Sequence, residues 1–154
     1  MLSDKLMLAE AKHACVHWQA LREHSQVELA HKLQAKGFDD SIIPLVLDCL
    51  AEEGLQSDGR FLESLVRKRY MRGHGIAGIR QELGQHGISG EGLSQCLAEY
   101  DWDELLEKVH RKKFGATLPT TPEEYASRFR FLSQRGFEQD KIHAFMRRLR
   151  RSED

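Results

Sequence analysis

Residues 73–78, Gly73-His74-Gly75-Ile76-Ala77-Gly78, spell G-x-G-x-x-G, the spacing with which a dinucleotide-binding turn brings its backbone against a pyrophosphate. That chemistry needs a strand before the glycines and a βαβ unit around them. The segment that precedes them is charged and helical in period, and nothing nearby alternates like a strand. The glycines therefore read as a flexible break between helices, where a missing Cβ relieves a tight turn.

Other reactive residue types are scattered in the same way. His13 and His17 lie four apart on one helical face, a spacing that can hold zinc, but no second ligand pair completes a tetrahedral set and Cys15 projects from another side. Each Ser or Cys with a nearby His, as in His24-Ser25, is more simply a helix cap or a core residue than a nucleophile with its base, and no orienting acid can be named. Asp39-Asp40 and Glu52-Glu53 sit at helix ends, where carboxylates are solvated. The expectation is a protein with no catalytic residues, no metal and no cofactor.

The cations are more suggestive. Arg60, Arg67, Lys68, Arg69 and Arg72 interleave with Phe61, Leu62, Leu65, Val66 and Tyr70. At about 100° per residue, Arg60 and Arg67 fall together opposite the apolar stripe, whereas Arg69 projects into it. A charge in that position must be paired or reach water, so Arg69 is expected to be a structural anchor rather than a contact residue, and full exposure with no acidic partner would mean the helix phase is wrong. Lys108, Arg111, Lys112 and Lys113 end one predicted helix, and Arg147, Arg148, Arg150 and Arg151 end the last. Cations at helix C-termini also answer the negative end of the helix dipole whether or not a ligand binds.

The elements that carry these residues follow from a pattern repeated three times, about fifty residues apart. Leu33-Gln34-Ala35-Lys36-Gly37-Phe38 returns as Leu83-Gly84-Gln85-His86-Gly87-Ile88 and as Leu132-Ser133-Gln134-Arg135-Gly136-Phe137. Each copy ends a helix, with a cation in the last turn, a glycine just past it and then a large apolar residue. Ser25-Gln26-Val27-Glu28 and Asp101-Trp102-Asp103-Glu104 read as capping boxes, and Thr121-Pro122-Glu123-Glu124 adds proline at the first helical position. Asp39 or Asp40 is the expected cap of the third helix, with Pro44 in its first turn.

Nine helices are predicted, over 4–23, 26–36, 40–53, 58–72, 76–86, 90–100, 102–113, 122–135 and 139–150. The fold class is all-α: three tandem three-helix repeats, helix-turn-helix-like units over 1–57, 58–100 and 101–154, forming an elongated, curved array. Residues 115–121 are either a mobile linker or an ordered loop.

Cys15, Cys49 and Cys96 are odd in number, far apart and on predicted helices, which points to reduced, buried thiols in the cytoplasm. No apolar run reaches the length of a membrane span, and no signal-peptide pattern is present. Residues 1–58 carry 5 basic and 10 acidic side chains (net −5), and residues 59–154 carry 18 and 14 (net +4), which together give the chain its −1. Such balance suits a protein partner offering both signs of charge better than many phosphate contacts along DNA.

Three groups of residues resemble the signatures of the RecX family. They are Arg22-Glu23-His24-Ser25-x-x-Glu28-Leu29; Arg60-Phe61 with Arg69, Gly73-x-Gly75, Ile79-Arg80-Gln81-Glu82-Leu83 and Gly87-Ile88; and Arg128-Phe129-x-Phe131-Leu132-x-x-Arg135-Gly136-Phe137. The likeness runs in order over nearly the whole chain. It implies a bacterial cytoplasmic modulator of the RecA recombinase that binds RecA filaments and inhibits ATP hydrolysis and strand exchange, by limiting filament extension or promoting disassembly. The chain departs from the family at Gly59, where an acidic residue is usual, and at Ile76 and Gly78, where proline and a cation are usual. The partner expected is RecA and the RecA–DNA filament, met by a monomer through Arg60, Arg67, Arg72, Arg80, Lys112 and Lys113, with weak DNA binding besides. The alternative is a helix-turn-helix-type DNA-binding protein acting independently of RecA, for which no dimerisation element or recognition helix is evident.

Overall fold

A computed structural model of the chain describes residues 2–153. Among them are nine helices and no strand: α1 Leu2–Leu21, α2 Gln26–Ala35, α3 Ile43–Glu52, α4 Asp58–Met71, α5 Ile76–Gln85, α6 Glu91–Ala98, α7 Trp102–Phe114, α8 Pro122–Gln134 and α9 Gln139–Glu153. The three-helix periodicity read from the sequence is thus realised as tandem helical repeats.

The chain gathers into two compact units. The first holds residues up to Ser64 together with Gln85–Ile88. Its core is Ala11 and Cys15 from α1, Leu29 and Leu33 from α2, and Ile43, Val46 and Leu50 from α3. The leucine, isoleucine and valine side chains among them each contribute on the order of 1.5–3 kcal/mol by leaving water. Ser25 caps α2 in a full capping box: its hydroxyl accepts from the Glu28 amide at 3.1 Å, and Glu28 Oε1 accepts from the Ser25 amide at 3.3 Å. Arg22 clamps the same Glu28 carboxylate.

Two expectations fail in this unit. Asp39 does not cap α3. Its carboxylate accepts from the amide and hydroxyl of Ser41 instead, closing a turn ahead of the helix, and α3 starts at Ile43 from an Ile42 that has no side-chain cap bond. Pro44 does lie at the helix start. Cys49 is half-buried rather than buried, with its thiol donating to Glu53 at 3.3 Å, whereas Cys15 and Cys96 are buried as expected.

The second unit holds Leu65–Gly84 and the chain from Ser89 onward. Leu105 and Leu106 of α7, Leu132 of α8 and Ile142, Phe145 and Met146 of α9 form its main core, with Phe137 from the turn between the last two helices. The Gly73–Gly78 run is not a flexible break. The Gly75 amide donates to the Arg135 carbonyl at 2.8 Å and the Gly78 amide to the Gly136 carbonyl at 3.1 Å, so the start of α5 is bonded to the end of α8. All three glycines of the repeat take a positive φ, +91° at Gly37, +72° at Gly87 and +92° at Gly136, and Phe38 and Phe137 return their amides to Leu33 and Leu132.

Candidate functional site

The signature residues turn out to be occupied mainly in holding the fold. Arg69, projecting from the apolar side of α4, meets Glu82 of α5 through two parallel bonds, Nε to Oε1 and Nη2 to Oε2, each 2.8 Å. Of the two ways open to a charge at that position, pairing or reaching water, Arg69 is paired. Arg60 donates to Glu23 at 3.1 Å and to the Gly54 carbonyl at 2.9 Å. His24 and Ser25 are fully buried, and Ser25 Oγ lies 2.7 Å from His86 Nδ1 within the first unit, out of reach of any substrate.

In the C-terminal signature, Arg128 is buried. Its guanidinium donates to His110 Nε2 at 3.2 Å and to the Thr117 carbonyl, and it stands over the Phe114 ring. Burial, reinforced by the Arg128 charge, pushes the His110 pKa down to about 4, so this imidazole is a neutral acceptor. Among the described residues no group of three or more His, Cys, Asp or Glu is placed to hold a metal ion. No helix is long and apolar enough to cross a membrane.

The exposed surface carries both signs of charge, and part of the positive charge is concentrated. The end of α4, the last turns of α7 and the end of α8 surround a groove of about 460 Å³ in the second unit. Arg72, Lys108, Lys112, Lys113 and Arg135 line it, and no carboxylate does. Its floor is apolar, from Leu105, Val109 and Phe131, and Met71 lines it as an exposed side chain. Lys113 Nζ and the Arg135 guanidinium stand over the Phe131 ring at 5.5 and 5.2 Å from its centroid. Arg135 also donates to the Arg72 carbonyl at 3.1 Å, which fixes the direction of its fork.

Of the six partner-binding residues expected from sequence, the groove brings together Arg72, Lys112 and Lys113. Arg67 and Arg80 are exposed in the same unit but do not line it, and Arg60 is engaged in the first unit. Lys108 and Arg135 were missed. Lys108 stands four residues before Lys112 on α7, a spacing visible in the sequence; nothing in the sequence places Arg135 beside them.

Comparison with known proteins agrees with the signatures. The family models described as RecX, second three-helix domain, and RecX, third three-helix domain, match residues 57–97 and 99–146. The chain is 46% identical over 125 residues to the regulatory protein RecX of Pseudomonas entomophila strain L48, covering 80% of this chain and 81% of that one. It is 41% identical over 138 residues to the regulatory protein RecX of Ectopseudomonas mendocina strain ymp, covering 88% and 92%. Two crystal structures share the fold at low identity. RecX from Lactobacillus salivarius aligns with a TM-score of 0.74 at 18% identity, over 97% of this chain and 98% of that one. Another regulatory protein RecX aligns at 0.76 and 19%, over 90% and 72%.

Proposed function

Because the chain belongs to the RecX family of regulatory proteins, we propose that it binds RecA filaments and inhibits RecA ATP hydrolysis and strand exchange, by limiting filament extension or promoting disassembly. The observation that carries this reading is the match of residues 57–97 and 99–146 to consecutive domains of that family. The protein acts as a cytoplasmic monomer without catalysis of its own, and its repeats over 1–57, 58–100 and 101–154 each offer contacts. Several weak contacts on successive protomers of a filament would act as one multivalent attachment. Arg67, Arg72, Arg80, Lys112 and Lys113 contact acidic RecA surface or filament DNA, while Arg60 serves the first unit through Glu23.

The test is the rate of ATP hydrolysis by RecA on single-stranded DNA, with this protein titrated from far below stoichiometric amounts. Progressive inhibition at low ratios, by a protein that hydrolyses no ATP alone, is the expected result. Replacing Arg67, Arg72, Arg80, Lys112 and Lys113 by glutamate should weaken inhibition while leaving helicity and Tm in place. No effect up to molar excess, together with tight binding to a specific duplex, would remove RecA from the account.

A further inference from the structure

We infer that the groove between the ends of α4, α7 and α8 receives an acidic protein segment that carries one large apolar side chain among its carboxylates. The inference rests on the proposed function only for which protein supplies the segment; the class of ligand comes from the groove itself.

Charge comes first. Three helix C-termini meet there, each worth about half a negative charge, so their dipoles account for about −1.5. Five cations line the groove, with no carboxylate among them. Capping the helices therefore absorbs less than a third of the positive charge, and roughly +3.5 is left for a ligand. The cations also come from three separate helix ends rather than one solvated face, and Arg135 is held by the Arg72 carbonyl at 3.1 Å, leaving the remaining donors of its fork available to a carboxylate.

The floor then separates the two anionic macromolecules that such charge could attract. Met71 is 77% exposed and lines the groove together with the five cations, so an apolar surface is open to a ligand beside the charge. A phosphodiester backbone has nothing to place on it. Single-stranded nucleic acid would need a base stacked on an open aromatic face. Phe131 is the aromatic ring on this floor, and Lys113 and Arg135 already stand over it while Phe114 meets it edge-on at 5.4 Å. A nucleobase would have to displace a cation to stack there. An acidic peptide uses both features at once, with carboxylates on the rim and an aliphatic side chain against Met71 and Val109.

The probe is a fluorescein-labelled peptide of about ten residues, all aspartate and glutamate except one central leucine, titrated with the full chain and followed by anisotropy. Saturable binding is expected. Lys108→Glu with Lys112→Glu, both exposed on α7, should weaken it at least ~10-fold, and leucine-to-serine in the peptide by ~5-fold or more. Arg147→Glu with Arg148→Glu on α9 makes the same change in net charge and should alter affinity less than ~2-fold. Circular dichroism of each variant confirms that the helices persist. Equal loss from the α7 and α9 variants, or displacement of the peptide by oligodeoxythymidylate at lower concentration than by unlabelled peptide, would overturn the inference in favour of general charge or nucleic acid. RecA ATPase measured on the same variants keeps the two readings apart. Peptide binding with no inhibition of RecA upholds the groove and counts against RecA alone, whereas inhibition with no peptide binding sinks the groove and leaves RecA standing.

Discussion

Gly75 and Gly136 meet backbone to backbone: a Cβ built on Gly75 would lie 2.5 Å from the Gly136 carbonyl carbon and 2.5 Å from the Phe137 nitrogen. Gly78 completes the approach, since a Cβ on Gly136 would lie 3.0 Å from its Cα. The G-x-G-x-x-G spacing thus serves a close crossing of chain on chain, in which two amide–carbonyl bonds span the contact. A pyrophosphate would find the space filled.

Gly75→Ala is therefore expected to destabilise the protein by about 1–3 kcal/mol or more, because the obstacle is backbone and cannot rotate away. Gly84 in α5 is the internal control. It has no neighbour within 4 Å and an ordinary helical φ, so Gly84→Ala should stabilise by ~0.5–1 kcal/mol through the unfolded chain and the helix propensity of alanine. Urea denaturation of the two variants reads both signs. Equal stability of Gly75→Ala and the parent would mean the crossing is absent in solution.

The Arg69–Glu82 pair should behave as a structural clamp. Its side chains are 26% and 31% exposed and its two bonds are parallel, which places it between a surface pair and a buried one. A double-mutant cycle with Arg69→Ala and Glu82→Ala is expected to give a coupling of ~1–2 kcal/mol. Arg69→Lys should recover less than half of it, because an ammonium cannot make both bonds in plane. A coupling indistinguishable from zero would return Arg69 to the solvent-exposed class.

What was legible in the sequence depended on range. The caps at Ser25, Asp101 and Thr121, the glycine past each repeated helix and the nine helices themselves are set by residues within about one turn of each other, and they stand where their spacing put them. Arg69 was readable as an anchor because its position on α4 required its charge to be paired or to reach water, though the pattern did not say which or with whom. The start of α3 was not, since Asp39 had two local options and satisfied Ser41 rather than the helix. Partners brought from far away left no local trace: Gly136 is some sixty residues from Gly75, Glu23 is 37 from Arg60, and the groove's cations arrive from three helix ends. Only the halves of those pairs carried a signal.

The polar side chains just ahead of α2 and α3, one a cap and the other not, make opposite predictions. Ser25 is fully buried, accepts the Glu28 amide and contacts His86, so Ser25→Ala should cost ~1–2 kcal/mol. Asp39 is bound only to an exposed turn, and Asp39→Ala should stay within about 0.5 kcal/mol of the parent. A loss of ~1 kcal/mol or more at Asp39 would show that it caps α3 after all.

His110 gives the fold a defined pH dependence. Its ordinary pKa of 6.5 falls to about 4 in the folded chain, chiefly because burial excludes the imidazolium and secondly because Arg128 repels it. Below pH 6.5 the unfolded chain takes up a proton that the folded chain refuses, so stability falls as pH drops from 6.5 toward 4 and is insensitive to this group above 6.5. The loss from His110 should reach about 2 kcal/mol at pH 5. His24, whose pKa burial also lowers, adds to it with the same sign. Urea denaturation between pH 7.5 and 5 measures the slope, and His110→Phe assigns it. The phenylalanine keeps a ring against Phe114 and Phe145 but cannot titrate, and it leaves Arg128 its bond to the Thr117 carbonyl. The variant is expected to be less stable at pH 7.5, for want of the acceptor that Arg128 uses, yet to lose most of its sensitivity between pH 6.5 and 5. A variant with the parent's full slope would mean that the proton is taken up elsewhere and that His110 is already accessible to it in the folded chain.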